Sequence, residues 1–157
     1  MEESGIWISP TLQSWIHYPR IVELKAKLKD RNISISEEAE LQDLERRAEN
    51  RLDVMRRMLD YDLRDRIVPG TDSGVNNLAF GHLDYDLQLL AQVGFTPAET
   101  LIAATRISAE AIGLNNEIGT IQPGKVADLV AFDGDPTVDV DAFSCVVAVF
   151  QAGCQIK

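Results

Sequence analysis

An α/β unit followed by a small β appendage is the fold class that the sequence predicts, and three observations predict it. Strand-like and helix-like segments alternate as strand, helix, strand, helix before a run of short β segments. Charge is dense and mixed in sign over residues 1–66, with 12 Lys/Arg and 14 Asp/Glu, and sparse over residues 67–157, with 3 and 11. The first composition suits a long solvated helix, and the second, with its many Ala, Val, Ile and Gly residues, suits a closely packed α/β region. At 157 residues and 45% apolar content, the chain has the size and composition of one globular unit.

Gly5-Ile6-Trp7-Ile8-Ser9-Pro10-Thr11-Leu12 is a short apolar run closed by proline, which predicts a buried strand over residues 5–12. From Ser36 to about Asp65, Leu41, Leu44, Ala48, Leu52, Met55, Leu59 and Leu63 recur at spacings of three and four, one helical stripe that Ser34 or Ser36 can cap. So long a helix either packs on its own domain or contacts a partner, and both readings stand. Arg66 to Gly74 predicts a second strand over residues 67–72 that runs into a glycine-flanked loop. A helix follows over residues 83–93. Thr96-Pro97-Ala98-Glu99 is a capping box with proline at the first helical position, opening a helix over residues 97–112 that Gly113 closes. Residues 118–121, 127–132 and 145–150 read as strands, the first two joined by the Gln122-Pro123-Gly124-Lys125 turn, with a hairpin at Ala152-Gly153.

Several function classes are disfavoured. A net charge of −10 with no Lys/Arg block repels phosphate backbones, so no nucleic-acid partner is expected. No stretch approaches the roughly 18 consecutive apolar residues of a membrane span, and Met1-Glu2-Glu3 lacks the basic, then apolar profile of a signal peptide. A membrane partner is therefore not expected, and the chain is assigned to the cytoplasm. Cys145 and Cys154 are too few to staple the chain and fit a reducing compartment. The hairpin sets Cys154 opposite Gln151, so two free thiols are expected.

In parallel α/β architectures the loops after the strands hold the chemistry, because strand ends present side chains into a shared mouth. Thr11 and Asp72 sit at two such ends. A carboxylate there can ligate a metal or move a proton; alternatively, Asp72 caps the turn that follows it. Three further features carry structural readings. Lys125 lies in a turn, the acids of residues 133–141 lack the EF-hand spacing, and Trp7 and Trp15 are expected to fill core or interface.

Gly70-Thr71-Asp72-Ser73-Gly74, Gly81-His82, Gly94-Phe95-Thr96-Pro97-Ala98-Glu99, Ala103-Ala104-Thr105, Ala111-Ile112-Gly113-Leu114, Ile118 to Val130 and Gly134-Asp135-Pro136 together resemble the carboxyl-terminal part of the amidohydrolase superfamily, its imidazolonepropionase-like and dipeptidase-like members above all. The resemblance is dense over residues 67–157 and looser over residues 5–12. It implies a (β/α)8 TIM-like barrel of which residues 1–113 supply about the last two β/α units, with the long helix between the two strands. Residues 114–157 would be part of a small β-sandwich. It further implies hydrolysis of carbon–nitrogen bonds with one or two divalent metals. Asp72 would match the aspartate that contacts the metal and shuttles a proton to the leaving amine, and Thr11, Ser73 and His82 would be the substrate-pocket candidates.

The His-x-His pair, the bridging lysine or glutamate and the further histidines of that superfamily are absent, and a barrel needs about 250 residues. His17 is expected in a surface loop rather than at a metal. A divalent metal, zinc foremost, is accordingly expected in a complete enzyme and not bound stably by this chain, which is expected to be inactive alone. The chain reads as beginning at an internal methionine of a longer protein. An opened barrel exposes strand edges, so a homo-oligomer is expected, or a second chain that carries the missing half. A non-catalytic interaction module built on the long helix is the rival reading.

Overall fold

A computed structural model describes residues 5–75 and 78–157; Met1-Glu2-Glu3 lies outside the described residues. The elements run α1 (Leu12–Ile16), α2 (Tyr18–Lys29), α3 (Ile35–Leu59), a 3-10 turn (Arg64–Arg66), α4 (Leu83–Gln92), α5 (Pro97–Ile102), a π-helical stretch (Ala103–Ile107), α6 (Ser108–Ala111), β1 (Leu129–Phe132), a second 3-10 turn (Val140–Ser144), β2 (Val146–Gln151) and β3 (Cys154–Gln155).

The two strands expected over residues 5–12 and 67–72 shrink to one parallel bridge, Ile8 to Ile67. Ile8 N–H donates to Arg66 O at 2.8 Å, and Val68 N–H to Ile8 O at 3.0 Å. The bridge extends no further: Pro10 has no N–H to offer a ladder, and Thr11, at φ 45°, turns the chain into α1. Gly70 lies against the first segment so closely that a Cβ there would collide with Ser9 Oγ.

Helix α2 occupies residues to which the sequence pattern assigned no element. Pro19 in its first turn and Ile21, Leu24 and Leu28 at helical spacing are the signals for it. It lies on α3 as a hairpin. Ion pairs cross the two helices, Arg20 to Glu40 at 2.7 Å, Lys27 to Glu37 at 2.6 Å and Lys25 to Glu45 at 3.0 Å. These pairs lie at the surface, Lys27–Glu37 half-buried, and each is worth little, so the apolar seam beneath them does most of the holding. Ser34 caps α3 in a full capping box with Glu37, which Lys27 and Ser34 hold down to a pKa of about 2. The helix stops at Leu59, six residues short of the expected end, and Leu63 and the Arg64–Arg66 turn carry the chain back to Ile67.

Leu41, Ala48, Leu52 and Met55 of the α3 stripe are buried against α1 and α2, so the stripe packs on its own chain. They join Leu12, Ile16, Leu24, Ile67, Leu89, Leu90 and Phe95 in one core. Ile67 at its centre is wholly buried, which is how a single bridge stays fixed without a sheet around it. Trp15 departs from expectation: it is 59% exposed on the outer face of α1, with the Arg51 guanidinium 5.0 Å over its ring. Its neighbours Leu12 and Ile16 take the inward face of so short a helix.

The Thr96–Glu99 capping box opens α5 as expected. Ser108 Oγ donates to Ala103 O at 2.7 Å where the π stretch leads into α6. Gly119 backs onto this stretch at φ 89°; a Cβ there would lie 2.5 Å from Ala109 Cβ and 3.1 Å from Thr105 O. Gly119→Ala is therefore expected to cost about 2 kcal/mol, from left-handed strain and overpacking together, measurable by urea unfolding. Residues 118–121 form no strand. Lys125 Nζ instead gathers that segment, donating to Asn115 O (2.6 Å), Ile118 O (3.1 Å) and Thr120 Oγ1 (2.6 Å), which makes it a structural residue.

The strands form an antiparallel sheet in the order β1-β2-β3, with Leu129 opposite Phe150 and Gln151 opposite Cys154. Ala152 (φ 49°) and Gly153 (φ 82°) give the doubly left-handed two-residue turn that suits strand twist. Cys145 and Cys154 are free and exposed. Among residues 133–141, Asp135 Oδ1 accepts from Thr137 N–H and Asp139 Oδ1 from Asp141 N–H, local turn bonds in an exposed loop. No described helix is long and apolar enough to cross a membrane.

Candidate functional site

The bridge between Ile8 and Ile67 sets two chain segments side by side and pointing the same way, so Thr11 and Asp72 emerge at the same end. Both take left-handed backbone angles, φ 45° and 52°, where the chain leaves the bridged segments. For threonine, branched at Cβ, such an angle is an uncommon and strained conformation, whereas aspartate tolerates it.

Asp72 is exposed. Its carbonyl accepts from Val75 N–H at 3.2 Å, but the capping expected of its carboxylate falls to its neighbour: Thr71 Oγ1 accepts from Ser73 N–H at 3.2 Å. Among the described residues no hydrogen bond or ion pair engages the Asp72 carboxylate. Ser73 Oγ lies 2.8 Å from Thr71 Oγ1 and 3.2 Å from Ala79 O, so its hydroxyl serves the loop.

His82 stands at the N-terminus of α4. Its ring stacks on Tyr85 at 4.9 Å with an interplanar angle of 8°, and its Nδ1 lies 3.6 Å from Asp84 Oδ1. Among the described residues nothing links the imidazole to Asp72. The ring packs at the helix start. His17 is exposed between α1 and α2, as expected of a surface loop.

One residue of this neighbourhood went unread in the sequence. Asp86, in the first turn of α4, is 1% exposed. Its Oδ1 accepts from the Gln13 backbone N–H at 3.2 Å and its Oδ2 from Gln13 Nε2 at 3.3 Å. Gln13 Nε2 also donates to His82 O at 3.0 Å. Burial pushes the Asp86 carboxyl up to about 6, against the lowering pull of the Gln13 and Leu12 amides. Thr11 makes no side-chain cap on α1, so Asp86 supplies from another helix the acceptor that the helix start lacks. The signal was an acid set among Leu83, Leu87 and Leu90 on an apolar helix face.

A divalent metal does not fit these residues by themselves. The described residues contain no group of three His, Cys, Asp or Glu side chains placed to hold one, and a catalytic zinc usually needs three protein ligands.

Two parallel segments ending at one side, backed by helices and followed by a three-stranded sheet, make the chain an α/β fragment, and solved structures carry the same fold. Over its full length the chain superposes on a Xaa-Pro dipeptidase with bound methionine in its active site, at a TM-score of 0.72 and 22% identity, covering 36% of that chain. Over 71% of its length it matches phenylurea hydrolase B at a TM-score of 0.59 and 24% identity, covering 27% of that chain. The family model for the amidohydrolase family matches residues 1–155, and the chain belongs to that family. Among sequence relatives, imidazolonepropionase of Pyrobaculum arsenaticum is 41% identical over 83 residues, 52% of this chain and 19% of that protein. Imidazolonepropionase of Geobacillus sp. (strain WCH70) is 57% identical over 42 residues, 27% of this chain and 10% of that protein. The chain thus spans about a third of the dipeptidase and aligns with a fifth or less of these enzymes.

Proposed function

We propose that this chain is the carboxyl-terminal portion of a metal-dependent amidohydrolase that opens amide, cyclic-amide or dipeptide-like carbon–nitrogen bonds. Asp72 is its proton-moving carboxylate. In such a hydrolysis a bond forms between water oxygen and the carbonyl carbon, and the carbon–nitrogen bond breaks. Asp72 takes the proton from the attacking water and returns it to the leaving nitrogen. The observation that carries this reading is the Asp72 carboxylate itself, exposed at the end of a bridged segment while Thr71 does the capping.

On this reading residues 1–113 belong to a barrel and residues 114–157 to a small β domain. Thr11, Ser73 and His82 are the substrate-pocket residues, and zinc or another divalent ion needs ligands beyond the described residues. The exposed edges favour a homo-oligomer or a companion chain, and the cytoplasm remains the proposed location. The inward-facing stripe of α3 weighs against an interaction module built on that helix.

The test is a chimera in which the chain replaces the 36% of the Xaa-Pro dipeptidase that it matches. The 157-residue chain alone is expected to be inactive on a panel of dipeptides and N-acyl amino acids, and the chimera to turn over at least one of them. Turnover by the chain alone would overturn the predicted dependence on a larger barrel. A folded, inactive chimera would count against the hydrolytic reading.

A further inference from the structure

The Asp86 carboxylate is buried where α1 meets α4 and stands outside the proton transfer assigned to Asp72. Its two oxygens accept from the backbone and from the side chain of Gln13, and the same side chain reaches on to His82 O. Gln13 lies two positions after Thr11, and His82 closes the loop that begins at Asp72. One residue pair therefore fastens the start of α1, just after the first bridged segment, to the start of α4 at the far end of the Asp72 loop.

We propose that Asp86 is a positioning residue that, through Gln13, locks the Thr11 turn to the His82 end of the Asp72 loop, so that both sides of the mouth move as one body. The lock depends on both oxygens being acceptors. When the carboxyl gains a proton, the oxygen that takes it becomes a donor. The Gln13 amide must then turn over or release its bond, and the contact with His82 O goes with it. Acidification thus separates the two loops while the backbone bond to Gln13 remains available to the other oxygen.

The surroundings leave Asp86 as the group that works this lock. Helix α1 brings no ionisable side chain to it. The elements packed on α4 carry Asp141 from the second 3-10 turn, Glu99 from α5 and Tyr18 from α2, while α4 and its cap carry His82, Asp84 and Tyr85. Burial and the bonds from Gln13 and Leu12 set the protonation of Asp86.

The inference rests on reading Thr11 and Asp72 as one mouth, but its test reads local structure, so it can fail while the chimera is active or hold while the chimera is silent. In amide proton–nitrogen spectra of the 157-residue chain, the Gln13 backbone and side-chain signals and those of the Thr11 and Ser14 amides are expected to move together between pH 7.5 and 5, with one midpoint near 6. The His82-Leu83 amides should follow the same curve. In Asp86→Asn that concerted step is expected to vanish, and because His82 and Asp84 are intact there, a step that they cause would persist. In Asp86→Leu, amide exchange at Leu12 and Gln13 is expected to speed up by about tenfold or more while exchange in α3 holds steady. Separate midpoints for Gln13 and His82, or a step that survives Asp86→Asn, would overturn the proposal, as would equal acceleration across α3.

Discussion

Asp72→Asn is expected to lower the turnover of the active chimera by about a thousandfold, in the range that loss of a general acid–base group produces. Asparagine tolerates the left-handed φ of 52° as aspartate does, so the backbone at the segment end is kept. Thr71 still receives the Ser73 amide, because that bond does not involve the Asp72 carboxylate. What the substitution removes is a charge and a proton acceptor. Steady-state kinetics should show the loss mainly in kcat, with thermal stability nearly unchanged. Retention of more than a tenth of the turnover would exclude Asp72 from the chemistry, whereas a collapse in stability would return it to the role of a turn residue.

Acid titration should expose Asp86 with an inverted sign. Its carboxyl sits at about 6 in the folded chain against 3.8 ordinarily, so the folded state holds this proton more tightly than the unfolded state does. The stabilisation that follows is fully present below 3.8 and is lost as pH rises through 6. Between pH 3.5 and 7 the stability of the protein relative to Asp86→Asn is expected to fall by about 3 kcal/mol, at 1.36 kcal/mol for each pKa unit. Glu23, Glu37, Glu40, Asp43 and Glu99, held low by their partners, pull the absolute curve the other way, but they are common to both proteins and cancel in the difference. Urea unfolding of the pair at four pH values measures it, and a flat difference would mean that the carboxylate is solvated.

Elements written in local chemistry were legible in the sequence. The Thr96–Glu99 box, the Ala152-Gly153 hairpin and the α3 stripe each depend on residues within a few positions of one another, and each stands where its pattern put it, except that α3 ends at Leu59 before the last stripe residue, Leu63. The segment Ile6-Trp7-Ile8 is different, because an apolar run says only that something buries it. Whether it becomes a strand depends on neighbours to pair with, and here the described residues offer Ile67 alone. Residues 118–121 failed for a related reason: β-branched residues suggested a strand, but the bonds from Lys125 and the close fit of Gly119 on the π stretch claimed the backbone. At the mouth, the position of Asp72 could be read from its glycine-flanked loop. The clamp could not, because Gln13 and Asp86 are 73 positions apart and neither pattern names the other.

The pairing of Ile8 with Ile67 also bears on the order in which the chain folds. The two residues are about sixty positions apart, and bringing them together directly would mean closing that whole loop before any contact repaid the lost freedom. Helices α2 and α3 fall within the interval and touch through a connection of only a few residues, so they can meet early and shorten the distance. Ile67 is then expected to dock late, against a helical hairpin already in place. Substitutions there would mainly quicken unfolding, while those in the α2–α3 seam would slow the approach to the native state.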